Sequence, residues 1–156
     1  MRCVWIAGGR AGVVDPRKEE TEETEESEET DEIRYTFRMH ERPYEKLIVW
    51  QESYKLCLFV YKLTIKFPPH ERFGLVSQMR RSSYSVPINI AEGNSKKSTK
   101  EKERFFEISH ASLEELHCES RLSKDLEYIT EQEFDQLDDH IQRVSYLLTK
   151  LRSSLG

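Results

Sequence analysis

The chain has 156 residues, enough for one domain with a real core, and a formal net charge of −5. Its six glycines and five prolines are few, and Leu, Glu, Lys and Arg dominate the second half, so an all-α fold is expected rather than a sheet. Cys3, Cys57 and Cys118 match neither a metal knuckle nor a disulfide framework, which points to a reducing, cytoplasmic setting.

The opening "MRCVWIAGGRAGVV" is mildly apolar, but Gly8, Gly9 and Arg10 interrupt it well short of a signal-peptide core or a membrane span. Neither secretion nor a membrane partner is expected. Residues 19–32, "EETEETEESEETDE", hold ten acidic groups in fourteen positions and no apolar residue. Such a run cannot offset its ordering entropy by burial, so residues 1–42 read as a disordered acidic extension. It is either an inert solvated leader or an acidic tail able to compete for a basic patch. Met39 stands just before the first periodic segment and is the expected true start, with residues 1–38 coming from an upstream start choice.

Charge is unevenly divided. Residues 1–42 hold seven Lys and Arg against twelve Asp and Glu, whereas residues 43–156 balance at seventeen each. Within that balanced part, residues 72–104 carry eight basic and three acidic groups, and residues 107–139 carry two basic and eleven acidic. The folded part is therefore expected to be electrically polarised.

A first helix is predicted from about Tyr44 to Phe67. Leu47, Trp50, Tyr54, Leu58, Tyr61 and Ile65 form one stripe, and Val49, Leu56, Phe59, Val60 and Leu63 form a second. A helix apolar on two sides needs neighbours beyond one partner helix, from its own bundle or from another subunit. "FPPHERFG" ends it, because two prolines cannot continue the hydrogen-bond ladder. A second helix begins near Phe73 with Val76, Met79, Ser83, Val86 and Ile90 in register. Pro87 falls inside that register and is expected to kink the helix, and Gly93 is expected to end it.

"STKE" at Ser98 to Glu101 has capping-box spacing and opens a third helix reaching about Leu126, with Phe105, Ile108, Ser112, Leu116 and Leu126 marking its inner stripe. "TEQE" at Thr130 to Glu133 repeats the signal before Phe134, Leu137, Ile141, Val144, Leu148, Leu151 and Leu155. Four helices with short connections over residues 43–156 predict an antiparallel up-down-up-down bundle.

Chemistry-bearing patterns are sparse. Glu107-x-x-His110 and Glu114-x-x-His117 have the spacing of carboxylate-bridged di-iron bundles, but both fall on one helix, about 10.5 Å apart by helix rise. The plainer reading is a solvated acidic face, with no metal and no cofactor. His117 and Cys118 are adjacent helical residues and point about 100° apart, and no nucleophile elbow, phosphate loop or dinucleotide fingerprint is present. No enzyme is expected. The basic set is the better candidate: Arg80 and Arg81 on the second helix, then Lys96, Lys97, Lys100, Lys102 and Arg104 around the start of the third. Together these could form a stripe matched to the phosphates of RNA or DNA, and lysines at a helix N-terminus oppose its dipole unless an anion is bound. Asn89 and Glu92 read as groups that cap a helix break or touch a partner, and Ser82, Ser83 and Ser85 as small residues allowing close helix contact.

The stretches "LIVWQESYKL", "QMRRSSYSVPINIAEG" and "DLEYITEQEFDQL" closely resemble a family of four-helix bundles. That family includes proteins encoded in intervening sequences of bacterial large-subunit ribosomal RNA genes and the accessory variability proteins of diversity-generating retroelements. The resemblance covers about residues 44–155. Arg80, Arg81, Pro87, Asn89, Glu92 and Gly93 stand where the family signature has them, Lys96, Lys97 and Thr99 follow as in typical members, and Ser82 and Ser83 replace alanines common elsewhere. The resemblance implies a homopentamer, and, from the retroelement members, a basic surface that binds nucleic acid and docks a reverse transcriptase. A protein-only oligomeric scaffold, its polarised charges mediating subunit contacts, is the alternative.

Overall fold

The structure, a computed structural model, describes residues 42–155. The acidic run at 19–32 and Met39 lie outside the described residues. Among the described residues there are four α-helices: α1 (Ile48–Leu63), α2 (Leu75–Ser95), α3 (Thr99–Asp125) and α4 (Glu131–Ser153). Short 3-10 turns at Pro43–Lys46, Thr64–Lys66 and Pro69–Phe73 flank α1 and lead into α2. Each helix packs on the next, and α1 closes the ring on α4. The neighbours are antiparallel, since side-chain contacts run in opposite order along each pair: Cys57 with Ser83 and Thr64 with Arg80, Met79 with Ser123 and Ser85 with Ser112, Glu103 with Arg152 and His117 with Asp138, Phe59 with His140 and Lys66 with Glu133.

The core is one cluster in which Leu56, Val60, Met79, Val86, Ile90, Leu113, Leu116, Leu137, Val144 and Leu148 lose all contact with solvent. Burying each such side chain stabilises the fold by about 1.5–3 kcal/mol. On α1 the stripe of Val49, Leu56, Val60 and Leu63 enters this core. The other stripe turns outward: Tyr54, Leu58 and Tyr61 are 47, 45 and 40% exposed, and Ile65 is 76% exposed. The helix is also shorter than its periodicity suggests, because both ends tighten into 3-10 turns before Phe67 adopts the extended backbone that a following proline requires.

Local chemistry sets the other boundaries. The Leu75 amide donates to the Glu71 carboxylate at 2.9 Å, so the turn that stops α1 also caps α2. Thr130 and Glu133 form the expected reciprocal capping box. Lys66 and the Thr130 amide hold the Glu133 carboxyl below its ordinary range. Ser98 occupies the N-cap of α3, but its hydroxyl makes no capping bond, and only its carbonyl accepts the Lys102 amide. The expected box with Glu101 is therefore absent.

Close approach of α2 and α3 decides the rest. Their facing residues are small: Ser82, Ser109, Ser120 and Ser123 are fully buried, and Ser112 nearly so, while the equally buried Ser83 faces Cys57 of α1. The inner face of α3 is Phe106, Ser109, Ser112, Leu113, Leu116, Ser120 and Ser123. Ile108 and Leu126, expected inside, lie 41 and 45% exposed, because hydroxyl groups occupy the facing positions that large side chains would hold further apart. Every buried side-chain polar atom among the described residues is hydrogen-bonded. Most seam serines bond the carbonyl three or four residues back, while Ser109 reaches across to the Val86 carbonyl at 3.0 Å, next to the donor that Pro87 lacks.

α2 runs on through Pro87, whose ring is buried, and continues past Gly93 to Ser95. Gly93 is thus a packing residue and not the end of the helix. A Cβ there would lie 2.6 Å from Phe106 Cε1, 2.9 Å from Phe106 Cδ1 and 3.1 Å from Phe105 Cβ. In an open helix Gly→Ala would stabilise, by about 1 kcal/mol. Here the Phe106 ring, 2% exposed, cannot step aside, so overpacking wins. Gly93→Ala is expected to lower stability by about 1–3 kcal/mol in urea unfolding; a variant as stable as the parent would show that the seam can open at no cost.

Candidate nucleic-acid interface

Antiparallel topology assigns each charged residue to an end of the bundle. The start of α1, the end of α2, the start of α3 and the end of α4 share one end. Lys96, Lys97 and Lys100 lie there, as expected, together with Lys46 from the turn before α1 and Lys150 from the last turn of α4. Sequence reading missed these last two, because residues 46, 97 and 150 meet only once the helices are folded against one another. Lys46, Lys97, Lys100 and Lys150 are exposed and make no ion pair with the described residues. Lys96 lies over the Phe105 ring at 4.9 Å, and Lys150 over Tyr146 at 5.5 Å. Lys100 is in the first turn of α3, where the helix dipole disfavours a cation.

The two arginines do not join this end. They leave α2 on opposite flanks, about 24 Å from Lys96 by helix rise. Arg80 donates from Nε to Thr64 Oγ1 at 2.9 Å and sets its guanidinium over the Tyr61 ring at 4.8 Å. Arg81 donates to Gln78 and forms an ion pair with Glu115 of α3. Both are engaged by neighbouring elements, several turns back along the side of the bundle from Lys96, Lys97 and Lys100. Asn89 is likewise internal: its amide donates to the Ser85 carbonyl and hydroxyl at 2.8 and 3.0 Å. Glu92 is exposed, and its carbonyl accepts the Ser95 hydroxyl at 2.6 Å.

The acidic groups of α3 also have structural partners. Glu107 faces Arg152 at 3.4 Å, His110 lies against Ser145, and His117 sits 3.5 Å from Asp138. Glu107, His110 and His117 therefore serve the α3–α4 contact, and Glu114 is exposed. Cys57 is buried against Ser83, and burial pushes its thiol up; Cys118 is exposed, and both are free.

What the geometry defines is an antiparallel four-helix bundle with a serine-lined seam and a basic end. Residues 45–150 match the model of the 23S rRNA-intervening sequence protein family, and the chain belongs to that family. In fold it is similar to the crystal structure of a protein of unknown function from the S23 ribosomal protein family of Bacteroides thetaiotaomicron VPI-5482. That likeness has 20% sequence identity and a TM-score of 0.61, and covers 67% of this chain and 98% of the other. No curated protein matches the chain.

Next to Arg81 in the chain, the Ser82 hydroxyl donates to Glu119 at 2.7 Å. Burial raises the Glu119 pKa first of all, the Ser82 bond opposes that, the Glu115 charge adds to it and Arg81 opposes it. A carboxyl whose folded pKa is raised contributes stability that is present below its ordinary value and is lost as pH rises through the raised one. Glu119→Gln keeps an acceptor for Ser82 and removes the charge. In urea unfolding the variant is expected to gain on the parent at neutral pH, with the gap closing toward about pH 4; a gap independent of pH would contradict this.

Proposed function

We propose that the protein is a non-catalytic, self-associating helical bundle that binds RNA or DNA phosphates through its lysine end. The observation that carries this reading is the gathering of Lys46, Lys97, Lys100 and Lys150 at one end, exposed and without ion pairs among the described residues. Like charges brought together by the fold repel one another, and Lys100 also opposes the α3 dipole. Both costs are relieved by a bound polyanion. Arg80 and Arg81, held by α1 and α3, serve the bundle and not the ligand in this reading.

Self-association rests on a separate observation. Leu58 and Tyr61 of α1, Ile65 of the turn that follows it, and Tyr84 and Ile88 of α2 are exposed, and the Arg80 contact with Tyr61 marks the place where the two helices adjoin. Apolar surface of this extent on a small domain marks an interaction site. A second copy is the proposed occupant, with the homopentamer as the expected number. The protein-only scaffold is the second reading, favoured by the same exposed surface.

Fluorescence anisotropy with a labelled structured RNA and a matched duplex DNA tests the first part. Binding is expected to weaken with salt at a log-log slope of about 0.7–0.9 for each phosphate contacted, and to be lost in a Lys97→Glu/Lys100→Glu chain. No binding at low salt would remove nucleic acid and leave the scaffold. Light scattering is expected to give a multiple of the chain mass for the parent and the single-chain mass for Leu58→Asp/Ile65→Asp; a monomeric parent would remove self-association.

A further inference from the structure

The lysine end carries a second feature that charge alone does not use. Tyr44, in the turn before α1, Trp50 and Tyr54, in the first turns of α1, form a ladder of rings. The Tyr44 and Trp50 centroids are 5.1 Å apart at 56°, and Trp50 and Tyr54 stack at 5.2 Å and 13°. Trp50 leans on the core, whereas Tyr54 is 47% exposed and outside the core cluster. Its ring stacks on Trp50 and remains about half open to solvent. Lys46 lies in the same turn as Tyr44, and that turn packs against α2, which leads directly into Lys96 and Lys97.

A flat aromatic surface next to exposed lysines is the pairing that single-stranded nucleic acids use, the rings taking bases and the cations tracking phosphates. A duplex offers only the second contact, because its bases are already stacked on each other. We infer that the lysine end selects single-stranded segments or loops, with an unpaired base stacking on Tyr54 of the Tyr44–Trp50–Tyr54 ladder while Lys46 and Lys97 hold the flanking phosphates. This rests on the proposed binding of nucleic acid at that end.

The test uses the full chain with Trp5→Phe, which leaves Trp50 as the one tryptophan of the two in the sequence. The probes are oligothymidylate and oligouridylate of about twelve residues, an abasic strand of the same length and a duplex of matched charge. The two oligomers are expected to quench Trp50 emission and to bind more tightly than the abasic strand or the duplex, whichever sugar they carry. Tyr54→Ala is expected to weaken them about tenfold, to leave the abasic strand unchanged and to keep the parent's mass by light scattering. Lys97→Glu should weaken every probe. Equal binding of abasic and natural strands, a Tyr54→Ala chain with parental affinity, or a fall in its mass would overturn stacking while leaving phosphate binding in place. Failure of every probe to bind would overturn the underlying reading and stacking with it.

Discussion

The fold depends on how closely α2 and α3 can approach. Helices separated by leucines sit about 8–10 Å apart, and small facing residues allow the short end of that range. Here the facing positions are serines and Gly93, and the Phe106 ring lies where a Cβ on residue 93 would have to be. Serine is a compromise, since each buried hydroxyl must be bonded and each finds a carbonyl of its own or the facing helix, or a side-chain partner. The seam is therefore narrow without stranding polar groups, and its hydroxyl pairs fix the register of the two helices more sharply than apolar contacts would.

That register governs the charges. Arg81 meets Glu115 and Ser82 meets Glu119 only because α2 and α3 are aligned as they are, and Arg80 is turned to the other flank, onto Tyr61 and Thr64. Exposed ion pairs of this kind contribute about 0–1 kcal/mol, so the Arg81 pair positions more than it stabilises. The consequence for function is a separation of roles along α2. Its middle is tied into the bundle, and its end delivers lysines to a surface where they form no ion pair with the described residues.

The same packing leaves part of the sequence without a partner. The ring of four helices needs one face of α1, and Val49, Leu56, Val60 and Leu63 supply it. Among the described residues the other apolar stripe has no fifth helix to meet. A second copy placed on Leu58, Tyr61 and Ile65 would satisfy it, while Tyr54, one turn nearer the lysine end, belongs with the Trp50 ladder.

The number of helices, their order and most of their boundaries were legible in the chain, because apolar periodicity, the double proline and the Thr130 capping box are local signals. So was the family, through the stretch around Arg80 to Gly93. The fate of each apolar stripe was not: Tyr54 and Val49 lie on the same helix with the same periodicity, and only the position of α2 and α4 decides which is buried. Gly93 was misread for the same reason, since a glycine near a helix end looks like a terminator until the Phe106 ring is seen against it. The sequence by itself determined that these residues form a four-helix bundle with lysines between the second and third helices. The tertiary structure alone decided that Lys46 and Lys150 join that end, that Arg80 meets Tyr61 and Thr64 and Arg81 meets Glu115, and that the tyrosine and tryptophan rings stand beside the lysines, because those relations span distant parts of the chain and arise only from packing.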